Sequence, residues 1–116
     1  MGGNTSRHDD MIDEMANRIG GFQLKEHVYK LSNNGVAEGG EADLISINPP
    51  GTTYRNQVAY AFEVKTTDKP KCRRKAMHQL ERDVEYIHRE FGIKRVFRFY
   101  VYGKTKTHIE RVKGRI

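Results

Sequence analysis

Between Val58 and Phe91 the apolar residues change their period from two to three and four, and that change narrows the folds open to the chain. In the stretch 58–66, Tyr60, Phe62 and Val64 alternate with Ala59, Ala61, Glu63 and Lys65, as on a β-strand. The pattern suits a strand packed on one side that opens at its C-terminal end onto a polar cleft. Pro70 then opens a helix to about Phe91, in which Met77, Leu80, Val84, Ile87 and Phe91 recur at helical spacing and Gly92 is the stop. Two more strands are expected, Arg95–Val101 and His108–Val112.

Upstream, residues 1–8 are polar and glycine-bearing and read as a flexible N-terminus. A helix from about Asp9 to Ile19 follows, capped by Asp9 or Asp10, with Met11, Ile12, Met15, Ala16 and Ile19 as its stripe and Gly20-Gly21 as its end. Phe22, Leu24 and Val28 mark a short strand before the Asn34-Gly35 turn. Glu41–Ile47 reads as the next strand, ended by Pro49-Pro50-Gly51, with residues 48–57 as loop or hairpin tip. The expected architecture is α/β: a mixed central sheet flanked by helices in the order α-β-β-β-α-β-β, with residues 9–116 forming one domain.

The chain has 116 residues, 36 % of them apolar and 31 % charged, enough for one modest core and too few for a second domain. Pairing with a second copy would add burial, so a homodimer is expected. The single Cys72 cannot close an internal disulfide, and no Cys/His spacing supplies a zinc site. No apolar stretch approaches the roughly 20 residues that cross a bilayer, and no signal-peptide core is evident. A cytoplasmic protein is expected, with no membrane contact and no organic cofactor.

Charge is divided unevenly. Residues 1–65 carry 6 Lys/Arg against 9 Asp/Glu, whereas residues 66–116 carry 15 against 6. Lys69, Lys71, Arg73, Arg74, Lys75 and Arg82 begin a basic series, continued by Arg89, Lys94, Arg95 and Arg98, that suits phosphate neutralisation. A solubilising surface has the same composition; a nucleic acid is the partner this reading prefers.

Chemistry concentrates at the exit of the 58–66 strand. Glu63 and Lys65 stand two residues apart and so point to one side, and Asp43 on the preceding strand supplies a second carboxylate if the strands are neighbours. Asp43, Glu63 and the Val64 carbonyl, with a phosphate oxygen and waters, suit Mg²⁺, which keeps several waters and takes oxygen ligands; Mn²⁺ is an expected substitute. Lys65 has three open roles: orienting the attacking water, assisting its deprotonation, or stabilising charge on phosphorus. Glu41, on Asp43's side by period two, is either a further ligand or a neighbour. A cross-strand ion pair is the competing explanation of Glu63 and Lys65, worth about 0.2–1 kcal/mol, and it sits poorly in a strand rich in Val, Phe and Ala. The five histidines are scattered and suggest no paired general base.

Glu41-Ala42-Asp43 with Glu63-Val64-Lys65 resembles the motif of the PD-(D/E)xK nuclease superfamily, and most closely that of the small archaeal Holliday-junction resolvases. The likeness extends through Gly40-Glu41-Ala42-Asp43-Leu44-Ile45, the helix after Thr66-Thr67, and Phe91-Gly92 leading into Val96-Phe97-Arg98-Phe99. Ala42 stands where the motif has proline, and nineteen residues separate Asp43 from Glu63. The resemblance implies a restriction-endonuclease-like core and a catalytic set of Asp43, Glu63 and Lys65, with Glu14 as the first-helix acid. It also implies a helix residue beside the site, for which Gln79 is the candidate. The function expected is a metal-dependent DNA endonuclease, structure-selective like a Holliday-junction resolvase and dimeric. The alternatives are a nicking, repair or mobile-element nuclease of the same superfamily, or an inactive DNA- or RNA-binding module.

Overall fold

The computed structural model describes residues 6–33, 35–49 and 56–113. Helix α1 (Arg7–Ile19) is followed by strands β1 (Phe22–Asn33), β2 (Val36–Asn48) and β3 (Val58–Lys65), helix α2 (Pro70–Phe91), and strands β4 (Arg95–Tyr102) and β5 (His108–Val112). The strands lie in sequence order in one five-stranded sheet. Every pairing is antiparallel except β3 with β4, which α2 joins as a parallel crossover. The fold is therefore α/β with a mixed sheet.

Each face of the sheet carries one helix. Met11, Ile12, Met15 and Ala16 of α1 bury against Leu44, Phe62, Val64 and Val101. Leu80 and Ile87 of α2 bury against Ile45, Ile47, Ala59 and Ala61. The alternating small and large residues of β3 are thus packed on both sides, not on one as its pattern suggested, and small Ala59 and Ala61 leave room for α2. The two cores account for both helical stripes, although the most buried line of α2 is Ala76, Leu80, Asp83 and Ile87.

The N-terminal boundary differs from the sequence expectation. Residues 1–5 lie outside the described part, but Arg7 and His8 are helical, and the cap is Ser6, whose Oγ accepts from the Asp9 N–H at 3.1 Å. Asp9 and Asp10 instead occupy the first turn, where carboxylates meet the positive end of the helix dipole. At its other end, the Gln23 amide donates to the Ala16 and Gly20 carbonyls and Ser46 Oγ donates to Gly20, tying α1 to the sheet.

Strands β1 and β2 are longer than their alternation implied because the alternation reverses within them. Leu24 and Ile45 pack toward α2, and so do Tyr29 and Ala42, positions of opposite parity. The ladder pairs Lys25 with Leu44 and His27 with Ala42, and the intervening residues Glu26 and Asp43 form no rung. Glu26 adopts φ +45°, the left-handed conformation that absorbs the reversal. Beyond it the Tyr29 ring lies over Gly40, its ladder partner, where a Cβ would come within 2.6 Å of the ring.

Candidate active site

The same discontinuity opens the candidate site. The β2–β3 ladder ends at Leu44 and Phe62, and Glu63, Val64 and Lys65 continue only beside β4. Where the strands part, side chains replace the missing rungs. The Val64 N–H donates to Asp43 Oδ2 at 2.7 Å, and the Asp43 N–H donates to Glu63 Oε2 at 3.2 Å. Two strands and two carboxylates are thereby locked in register, as neighbouring strands were expected to lock them. Of Val64, expected to offer its carbonyl to a cation, the contact made is through its N–H.

These residues floor a cleft of about 550 Å³, with Glu41 and Lys65 also in its wall. His8 enters from α1, and Lys75, His78, Gln79 and Arg82 line it from α2. Asp43, Glu63, Lys65, Glu41 and Gln79 are therefore assembled in one place.

Glu63 is 3 % exposed and Asp83, facing it from α2, is 0 % exposed. Burial first, then the Asp43 and Asp83 carboxylates, push Glu63 far above the usual carboxylate range. Burial likewise lifts Asp83, to about 6, against the lowering effect of its hydrogen bonds. Burial and the facing carboxylates thus favour the neutral, protonated form of Glu63 in the metal-free protein. Asp83 Oδ1 accepts from Tyr29 Oη at 2.5 Å and from the Gln79 amide at 2.8 Å, and Gln79 also donates to Tyr29 Oη at 2.9 Å. Among the described residues no N–H or hydroxyl reaches the buried Asp83 Oδ2. Asp43 and Glu63 together offer carboxylate oxygens, the donor type hard divalent cations take, in a cleft that Lys65, Lys75 and Arg82 also line.

A second group of metal-type donors adjoins this floor. Ligand atoms of His8, Asp9 and Glu26 lie within 4.8 Å of one another. His8 Nδ1 is 3.4 Å from Asp9 Oδ1, and its Nε2 is 3.4 Å from Asp43 Oδ1. A hydrogen bond between Asp9 and Glu26 lowers the first carboxyl's pKa and raises the second's.

Glu14 is not brought to the cleft. Its carboxylate pairs with Arg18 at 2.9 Å and accepts from Thr107 Oγ1 at 3.2 Å. The α1 residue that reaches Asp43 is His8, and five positions at about 100° each turn Glu14 roughly 140° from Asp9, the acid His8 contacts. The basic series also divides. Lys75 and Arg82 line the cleft, and Lys69, Lys71 and Arg74 are exposed. Arg73 is engaged within the protein: it donates to Asp68 at 3.0 Å and to Glu110, and stacks over Tyr100 at 4.8 Å. These two carboxylates hold its guanidinium above the usual range, so it is not a free phosphate contact.

His8 and His78, which line the cleft, and Asp83 and Tyr29, buried beneath it, are the residues that sequence reasoning did not assign to the site. Asp83 had a legible signal, a carboxylate in register with Ala76, Leu80 and Ile87 on the buried line of a helix. His8 had none, because it lay before the expected start of α1. Comparison of this chain with known family profiles, curated proteins and solved structures finds no match.

Proposed function

We propose that this chain is a metal-dependent endonuclease hydrolysing DNA phosphodiesters, with a preference for branched DNA like that of the Holliday-junction resolvases. The observation that carries the reading is the clasp of Asp43 and Glu63 across the parting strands, beside Lys65 and beneath Lys75 and Arg82. A lone ion pair in a strand would need none of this. The preference for branched DNA and the restriction-endonuclease-like core rest on the resemblance in residues 40–45 and 63–65 and on the order of the elements.

Each side chain has a task in such a reaction. Asp43 and Glu63 would hold Mg²⁺ or Mn²⁺, which when bound polarises a phosphate and makes water more acidic. A proton held on Glu63 before metal binds limits the charge of the cleft floor, and Tyr29 and Gln79 fix Asp83 in place. Lys65, in the cleft wall, would orient the attacking water, assist its deprotonation or meet charge developing on the phosphate. Lys75 and Arg82 hold flanking phosphates. Glu41 lies at the rim and His8 steadies Asp43.

Incubating the protein with four-way, flap and linear DNA, in Mg²⁺, Mn²⁺ or EDTA, tests the reading. Divalent-dependent cleavage is expected, strongest on the four-way junction. A junction resolvase cuts two strands symmetrically, so light scattering should find a two-fold dimer. Cleavage favouring flaps or linear duplex would move the chain to a nicking, repair or mobile-element nuclease. Tight binding without cleavage in either metal would leave a binding module and overturn the proposal.

A further inference from the structure

A second basic groove lies on the other flank of α2. The cleft uses Lys75, His78, Gln79 and Arg82, while Met77, Glu81, Val84 and His88 border a separate groove against β4 and β5. At about 100° per residue these two sets sit on nearly opposite sides of the helix. The groove holds about 610 Å³. Arg95 at its end of β4 is seven ladder positions from Tyr102, the partner of Lys65, which is about 23 Å along a strand.

Four cations line this groove: Lys94, Arg98, Arg111 and Lys113, against a single carboxylate, Glu81. None of the four forms an ion pair among the described residues. Arg98 projects from β4 on the α2 face, beside Val96 and opposite Val112, whereas Arg111 borders the groove at the sheet edge and stacks 4.7 Å over the Phe97 ring, which packs on Tyr60 on the α1 face. Val84 and Val96 give the groove an apolar floor between its cations. Arg73 shows the contrast, since there the protein supplies its own carboxylates.

We infer that this groove is a second nucleic-acid contact surface, which takes the phosphate backbone of a strand passing α2 on the side away from Asp43 and Glu63. The inference shares with the proposed activity only the polyanionic partner, and it does not require hydrolysis. For a nuclease of branched DNA, the groove would hold an arm other than the one being cut.

Fluorescence anisotropy of a labelled DNA duplex in EDTA, across a salt titration, tests the groove without cleavage. The double variant Lys94→Gln/Lys113→Gln should bind about tenfold more weakly at moderate salt, and adding Arg98→Gln should weaken binding further. In the double variant the slope of log affinity against log salt should fall by about 2, one for each phosphate that is no longer neutralised. Lys94 and Lys113 are exposed, so the double variant folds whatever happens to the triple one. Unchanged affinity and slope in that variant would overturn the inference. So would poly-L-glutamate that binds as tightly as DNA and loses affinity equally in the variants, since the groove would then be a site for acidic peptide. A wild-type protein that never cleaves DNA in Mg²⁺, yet shows the slope change, would overturn the nuclease reading and leave the groove standing.

Discussion

Asp43 and Glu63 are each held by the other's strand: the Val64 N–H donates to Asp43 Oδ2, and the Asp43 N–H donates to Glu63 Oε2. The bonds form where the β2–β3 ladder has stopped, so structural and chemical roles meet in the same two side chains. Asp43→Asn keeps an acceptor for Val64 and removes a charge; Asp43→Ala removes both. Both variants should lower cleavage by at least about 100-fold while retaining DNA binding. Only Asp43→Ala should also lose stability, by about 1–3 kcal/mol in denaturant titration.

Glu63 links stability to pH. Its carboxyl lies well above the ordinary 4.5, so the folded protein keeps a proton that the unfolded chain releases, and stability falls as pH rises from about 4.5 toward about 11. Thermal melts without metal should show the decline through neutrality, and Mg²⁺ should offset it. Glu63→Gln should flatten the profile and raise the melting temperature at pH 8 in EDTA. A melting temperature that climbs with pH across this range in wild type would contradict the assignment.

Arg73 and Arg82 belong to one basic series in the sequence but serve different ends. Arg73→Ala should lower the melting temperature by a few degrees, through loss of Asp68, Glu110 and the Tyr100 ring, and leave the salt dependence of DNA binding unchanged. Arg82→Ala should do the reverse, reducing the binding slope by about 1 with no thermal effect.

Glu26 combines φ +45° with a carboxyl facing Asp9. Glu26→Gly should relieve the backbone and stabilise the metal-free protein by about 1 kcal/mol, read as a higher midpoint in urea. If the two donor groups act together, the variant should also need more Mg²⁺ for half-maximal cleavage.

Local periodicity carried much of this fold. The helix Pro70–Phe91 and the strand His108–Val112 have the bounds their patterns predict, because each obeys one period along its length. β1 and β2 do not, since their alternation reverses at Glu26 and Asp43 in a pairing no single strand reveals. The neighbourhood of Asp43, Glu63 and Lys65 followed from two short segments on adjacent strands. The first-helix acid did not, because one helix's periodicity does not say which side meets the cleft: α1 presents His8 there and leaves Glu14 with Arg18 and Thr107. Asp83 was legible by its spacing, three residues after Leu80 and four before Ile87 on the buried line of α2, although it was not assigned to the site.

The most direct test is single-turnover cleavage of a four-way junction in Mg²⁺ by the wild-type protein, Asp43→Asn and Lys65→Ala, with binding of each measured in parallel. The account predicts cleavage by the wild type, a loss of at least about 100-fold in both variants, and similar affinity for the junction in all three. Wild-type rates in either variant, or equal cleavage in EDTA, would contradict it.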